Sequence, residues 1–354
     1  MGTDISSIKI TKTENSKINQ VDFDNIPFGK VFADHMFVMD YEDGEWKNFE
    51  IKPFQDLTFS PAISSLHYGQ SIFEGMKAYR KNGKTYTFRA KDNFERLNKS
   101  AERMCMPHIP NQLVKDALEQ LLTIDKEWIP ENETNSLYVR PFMFATDEYV
   151  GIRPSSTYKF IIFCCPVGNY YTEPLRVKIE SHYTRAANGG VGEAKAAGNY
   201  AASLYPAKLA NEQGYHQLLW TDSNEHKYIE ESGTMNVMFV IDGKLITPSL
   251  SGTILPGITR KSVIEIVKSW GIEVEERKIE VTEVLEAIKN GTLEEAFGAG
   301  TAATIAQIQT IGHNGTDYEL PSIPERKISN RVLKFLNELK RGQEEDKWGW
   351  IETF

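Results

Sequence analysis

At 354 residues the chain is too long for one ordinary hydrophobic core, which suggests two domains. Its 40% hydrophobic and 25% charged residues are the balance of a folded globular protein, not of a disordered one. A formal net charge of −9 argues against a nucleic-acid partner, whose phosphates need a basic face, while leaving room for a local pocket for one small anion.

Along the chain, residues 1–20 read as a loose polar arm through Ile5, Lys9, Glu14 and Lys17, without the apolar core of a signal peptide. Phe28 to Phe37 is a strand-like mixture, and Asp43-Gly44 is a hairpin turn between apolar and aromatic flanks. Thr85 to Phe88 reads as a strand leading into a helix. Phe94, Leu97, Ala101 and Met104 recur there at helical spacing. A second helix spans Gln112 to Trp128. The stretches SLYVRPFMFA and TYKFIIFCCPVG are strands, the latter holding the longest apolar run, Phe160 to Cys165, which is far short of a membrane span.

Gly168 to Pro174 combines Gly, Pro and polar residues and carries the linker signal. Residues 170–176 then connect a smaller first domain, 1–169, to a larger second one, 177–354. In the second domain, strands at Arg176–Ser181, His216–Thr221, Thr234–Ile241 and Lys244–Thr247 alternate with helices near Asn199–Glu212, Thr259–Trp270, Val281–Asn290 and Pro324–Arg341. Pro206 requires a kink or a late start in the first of these helices. The fold class is α+β (mixed α/β), in two domains. Cys105, Cys164 and Cys165 form neither a metal-ligand spacing nor a disulfide framework, so they read as reduced thiols of a cytoplasmic protein with no metal and no membrane role.

No P-loop, HExxH or GxSxG pattern is present. Asn188-Gly-Gly-Val-Gly192 alone reads as a loop, Lys195 alone as a surface lysine, and Glu230-Glu231 as a solvated pair. The order of four stretches changes that reading: GGVGEAKAAGNYAASL, YIEESGTMNVMFV, GTILPGITRKSVIEI and EAFGAGTAATIAQI. Together they resemble the signatures of the class IV (fold type IV) pyridoxal-phosphate-dependent aminotransferases. SSLHYGQSIFEGMKAY and SLYVRPFMFATDEYVGIRPS resemble the branched-chain amino acid branch of that family. The likeness runs from about Phe28 to the final helix.

The resemblance implies a fold type IV enzyme of two domains with pyridoxal 5′-phosphate at their interface. It makes Lys195 the catalytic lysine, which holds the cofactor as an internal aldimine and later moves the substrate's proton. The small residues Ala194, Ala196, Ala197 and Gly198 leave that amine uncrowded. Glu231, chosen by the pattern E-x-G-T-x-N, is the partner of the pyridine nitrogen. Tyr200 matches the tyrosine on the cofactor's phenolic oxygen, which requires Lys195 to precede the helix.

The phosphate is expected at Gly257, Ile258 and Thr259, where a helix begins, and at Gly300 and Thr301. Arg96 would complete that cup, its ordinary alternative being a surface pair with Asp92. Phe28, Tyr68, Phe73 and Tyr138 match an aromatic substrate wall, and Arg140 the partner of a glutamate side chain. Thr234, Thr301 and Ala302 lie near the substrate, the amides of Thr301 and Ala302 facing its α-carboxylate. Val150 and Ile152 match residues that reach into a neighbouring subunit's site, which implies a homodimer. The substrates implied are L-leucine, L-isoleucine or L-valine with glutamate and their 2-oxo acids. No thiol switch is expected, because Thr301-Ala-Ala-Thr-Ile-Ala306 lacks the C-x-x-C of mammalian members. The alternatives are D-amino acid aminotransferase and aminodeoxychorismate lyase on the same fold, or a non-catalytic anion- or nucleotide-binding protein.

Overall fold

The computed structural model describes residues 8–168 and 170–354. Its contacts divide the chain into two compact units. The first is Met1–Tyr170 with Ala194–Ala197 and Glu338–Phe354, and the second is Tyr171–Glu193 with Gly198–Asn337. One linker between 1–169 and 177–354 was expected; instead the chain returns to the first unit twice. The reason is pairing: Ala196 bridges Ile72, and the C-terminal strand joins the first unit's sheet.

In the first unit, β1 (Lys9–Ile10) precedes the hairpin of β2 (His35–Glu42) and β3 (Glu45–Pro53). Asp43 and Gly44 both have positive φ, the geometry a two-residue hairpin turn needs. The short helix α1 (Ser64–Tyr68) leads to β4 (Ser71–Phe73), β5 (Met76–Lys81) and β6 (Lys84–Phe88). Then follow α2 (Ala90–Arg103), α3 (Asn111–Ile124), β7 (Ser136–Ala145) and β8 (Tyr158–Val167). The sheet runs β1-β3-β2-β8-β7-β5-β6, with β4 also on β7.

Phe94, Leu97 and Ala101 on α2 and Leu113, Val114, Ala117 and Leu121 on α3 share one buried core with Phe37, Phe160 and Ile162. The strand expected over Phe28–Phe37 forms only from His35, and the helix expected to reach Trp128 ends at Ile124 before a 3-10 turn. Residues 1–7 of the expected loose arm, and Asn169 of the expected linker, lie outside the described residues. The described part of the arm is tied down rather than loose. β1 pairs with β3 in parallel, and the Thr13 N–H donates to His35 Nε2 at 2.9 Å. The ring's Nδ1 lies 2.6 Å from the buried Asp125 carboxylate, which fixes the proton on that side.

The second unit begins with β9 (Leu175–Ile179), and α4 (Ala197–Ala202) and α5 (Leu204–Glu212) follow. The single helix expected over Asn199–Glu212 is thus broken at Ser203, and Pro206 falls in the first turn of α5, where its missing N–H costs no bond. Next come β10 (Gln217–Thr221), β11 (Ile229–Ser232), β12 (Met235–Ile241), β13 (Lys244–Pro248), α6 (Ile258–Ser269) and β14 (Val274–Arg277). The unit ends with α7 (Val281–Asn290), β15 (Leu293–Gly300), β16 (Thr304–His313), β17 (Thr316–Glu319) and α8 (Ile328–Leu339). Its sheet runs β11-β10-β9-β16-β15-β12, and β12 pairs back to β11, closing a six-stranded ring. All of β12 is buried, as its uninterrupted MNVMFVI run requires. The last strand, β18 (Ile351–Thr353), lies antiparallel to β6 in the first unit.

Among the described residues no helix is long and apolar enough to cross a membrane.

Candidate active site

Lys195 follows the Gly189–Gly192 loop as unstructured backbone, one residue before a bridge and two before α4. Tyr200 therefore lies on the helix and Lys195 ahead of it, as the sequence spacing requires. The lysine's main chain is clamped on both sides. Its N–H donates to Ser100 Oγ at 2.9 Å, and its carbonyl accepts from Phe73 N at 3.1 Å. Its ammonium stands 4.8 Å from the centre of the Phe73 ring, a cation–π distance.

Around Phe73 the first unit assembles most of the expected aromatic wall. The Arg140 guanidinium lies 4.6 Å from the Phe73 ring centre and 5.2 Å from that of Tyr138, and donates to the Tyr138 hydroxyl at 3.1 Å. Arg140 Nε is buried with no hydrogen-bond partner. Phe28 packs edge-on against Tyr138 at 5.6 Å and against Tyr170 at 4.8 Å. A Cβ on Gly75 would meet the Tyr138 hydroxyl at 2.0 Å, so only glycine allows that ring its position. Tyr68 ends α1 and is exposed, its described ring neighbour being His67. Val150 and Ile152 project from a loop, 68% and 92% exposed.

Arg96 is buried on α2, but Asp92 is not its partner. Its Nε and Nη2 donate to Glu74 Oε1 and Oε2 at 2.8 and 2.9 Å, while Asp92 pairs with Arg89. Glu74 is wholly buried and also accepts from Gly75 N at 3.1 Å. A bidentate grip of this kind fixes both the charge and the plane of the guanidinium.

In the second unit, Glu231 lies on β11, buried rather than solvated, and so does Glu230. Alternation along the strand separates their directions. Glu231 Oε2 is 2.5 Å from Arg185 Nε, and Oε1 accepts from Asn236 Nδ2 at 2.9 Å and from Leu255 N at 3.3 Å. The carboxylate is buried and the guanidinium nearly so, which fixes the two groups against each other. Glu231, Arg185, Asn199, Tyr200, Thr234 and Leu255 line one narrow cleft.

Asn236 Nδ2 also donates to the Leu255 carbonyl at 2.9 Å. A Cβ on Gly257 would meet Asn236 Oδ1 at 1.9 Å, so the missing side chain lets the acid's support pass directly beside the start of α6. Gly257 is the N-cap of that helix, and no side chain caps it. The first amides, at Ile258 and Thr259, have no partner within a helix and carry its positive end. Gly300 closes β15, and Thr301, Ala302 and Ala303 form the turn into β16. A Cβ on Gly300 would meet Met235 Cγ at 3.1 Å. Thr234 is exposed in the tight turn between β11 and β12, after Gly233 with its positive φ.

Sequence reasoning missed Glu74, Ser100, Tyr170, Arg185 and Asn236. Glu74 and Asn236 stand inside the quoted motifs, FEG and GTMN, where a carboxylate and an amide asked for partners. Arg185, in HYTRAANGG, had no such signal. Among the described residues, no group of three or more His, Cys, Asp or Glu side chains could hold a metal ion.

The chain as a whole is similar to known proteins over nearly all of its length. Over 348 residues the chain is 44% identical to branched-chain-amino-acid aminotransferase 2 of Bacillus subtilis, covering 97% of this chain and 95% of that one. It is 45% identical over 332 residues to branched-chain-amino-acid transaminase 1 of the same organism, covering 92% and 93%. The crystal structure of a branched-chain aminotransferase from Thermoproteus uzoniensis with norvaline superposes with a TM-score of 0.75 at 26% identity, over 90% of this chain and 99% of that one. The Escherichia coli branched-chain amino acid aminotransferase gives 0.72 at 28%, over 90% and 98%. The α+β architecture is therefore that of the fold type IV aminotransferases. The profile of the amino-transferase class IV family matches residues 71–311, a span that takes in Glu74 and Arg96, Lys195, the Arg185–Glu231 pair and the start of α6, and to that family the chain belongs.

Proposed function

We propose that the protein is a branched-chain amino acid aminotransferase, moving the amino group reversibly between L-leucine, L-isoleucine or L-valine and 2-oxoglutarate with pyridoxal 5′-phosphate as cofactor. The observation that carries the reading is Glu231, buried and paired with Arg185 in a cleft that it shares with Tyr200. The residues fit the cofactor's chemistry. Glu231 is a carboxylate partner for a pyridinium nitrogen, Tyr200 a donor for the phenolic oxygen, and the uncapped α6 start at Gly257, Ile258 and Thr259 a seat for phosphate. Gly300 and Thr301, with Arg96, are assigned to the same phosphate. When bound, the cofactor supplies the electron sink that stabilises a carbanion at the substrate's Cα.

The rest is the work of this chain's residues. Lys195 Nζ would take the proton from the substrate's Cα and hand it on to the cofactor's C4′. Ser100 and Phe73 hold the lysine's main chain so that only the side chain swings. Phe28, Phe73, Tyr138 and Tyr68 receive the branched side chain, and Arg140 at the edge of that wall receives the carboxylate of glutamate. Thr234 and the Thr301 and Ala302 amides hold the α-carboxylate. Val150 and Ile152, exposed and apolar, are assigned to the neighbouring subunit of a homodimer. The reading also puts the enzyme in the cytoplasm.

The test is the absorption spectrum of purified protein with pyridoxal 5′-phosphate, before and after L-leucine without a keto acid. The expected result is a lysine-bound cofactor band that L-leucine converts to the pyridoxamine form, and no such band in Lys195→Ala. A band that L-leucine leaves untouched while D-alanine consumes it would move the function to D-amino acid aminotransferase.

A further inference from the structure

The second unit has another cavity, which the proposed reaction does not use. It is an open space of about 720 Å³ bordered by Asp222, Tyr228, Glu230, Ser251, Thr253 and Lys278. Three acids border it, Asp222, Glu225 and Glu230, and the first and last are in opposite conditions. Asp222 is saturated, accepting backbone N–H groups from Asn224, Glu225, Lys227 and Tyr228 at 2.7–3.2 Å. Glu230 is only 8% exposed; its Oε1 accepts from Thr253 Oγ1 at 2.5 Å, and its Oε2 is buried with no hydrogen-bond partner. Ser251 Oγ lies 2.8 Å from Thr253 Oγ1, which puts a second hydroxyl on the same cavity. A buried carboxylate with one oxygen unsatisfied is costly, and burial does push the Glu230 carboxyl above its ordinary range. Lys278, which also borders the cavity, stacks its ammonium 4.7 Å from the Tyr228 ring centre.

We propose that this cavity binds a small monovalent cation, an alkali-metal ion or an ammonium group, against the Glu230 carboxylate. One unsatisfied carboxylate with neighbouring hydroxyls suits a single positive charge. A divalent ion asks for more acidic oxygens than the described residues bring together. The site is wired to the acid across the strand. Thr253 donates its hydroxyl to Glu230, and its carbonyl accepts from Arg185 Nη2, whose Nε pairs with Glu231. A cation at Glu230 therefore steadies Thr253 and, through it, the arginine that holds Glu231. This second step rests on the proposed role of Glu231; the binding itself does not.

The experiment is thermal unfolding of the full-length protein with its cofactor, in potassium, ammonium, methylammonium or tetramethylammonium chloride at equal ionic strength. Potassium or the ammonium salts, at about ten times their dissociation constant, should raise Tm by about 2 °C over tetramethylammonium, which is bulky and has no N–H. Glu230→Gln should abolish the difference. It keeps an acceptor for Thr253 and removes the buried charge, so it should fold at least as well as the parent. Ser251→Ala should weaken the difference. Potassium acting without methylammonium would identify a metal-ion site, and methylammonium acting as well would identify an ammonium site. Equal Tm in all four salts, or a difference that survives Glu230→Gln, would overturn the proposal. The L-leucine spectrum reads the Glu231 assignment separately, so either idea can fail alone.

Discussion

The two units hold their buried arginine–carboxylate pairs in different ways. In the first, Glu74 takes two bonds from Arg96 and one from the Gly75 amide and stands wholly out of water, in the link between β4 and β5. In the second, Glu231 shares its oxygens among Arg185, Asn236 and the Leu255 amide, inside a closed ring of strands, and borders a cleft. A carboxylate spent on one guanidinium fixes that guanidinium and little else. A carboxylate whose partners are spread around it keeps its position while it borders a cleft. The first arrangement holds a cation, and the second is the one proposed for chemistry.

If that contrast is right, Glu74→Ala strikes stability first. It strands the Arg96 cation in a buried site, and breaking one side of such a pair costs about 3–5 kcal/mol. Urea unfolding should show the loss, and the double variant Glu74→Leu, Arg96→Met should recover most of it. A Glu74→Ala protein as stable as the parent would end the distinction.

Glu231→Gln should strike activity first. The amide keeps the shape and an oxygen for Asn236 and the Leu255 amide but leaves Arg185 without its counter-charge, so some stability is lost, while kcat falls on the order of 10²-fold, the usual cost of one preorganised electrostatic partner. Single-turnover conversion by L-leucine checks this, and an unchanged rate would remove Glu231 from the chemistry.

How much of this the sequence allowed depended on the range of the interaction. β7 and α7 lie where SLYVRPFMFA and the Val281–Asn290 pattern put them, because strand alternation and helical spacing are local properties. Lys195, Glu231 and the start of α6 were legible through long motifs. The partners were not. Arg96 was weighed against Asp92, four residues away, but its carboxylate is Glu74, 22 residues earlier in the link between β4 and β5. Arg185, in the loop that follows β9, meets Glu231 on β11, far along the chain. The break at Ser203 was half visible: Pro206 announced it, but chain packing set its position. Propensity could not show that residues 194–197 belong with the first unit, since one bridge from Ala196 to Ile72 and two main-chain bonds to Lys195 decide it.

Those main-chain bonds give the smallest and most discriminating effect. Ser100→Ala removes the acceptor of the Lys195 N–H and leaves the Phe73 bond to its carbonyl in place. One unsatisfied amide costs about 1 kcal/mol, so Tm should fall by only a few degrees. If Ser100 only fills space, cofactor loading and the half-reaction should follow that small loss and nothing more. If it keeps the lysine's main chain still while the amine moves, loading should persist and the L-leucine half-reaction should slow several-fold. Ser100→Thr, which keeps the hydroxyl, should restore the rate. A half-reaction at the parental rate in Ser100→Ala would mean that the Phe73 bond and the Ala196 bridge hold Lys195 well enough alone, and would place the restraint on the strand rather than on α2.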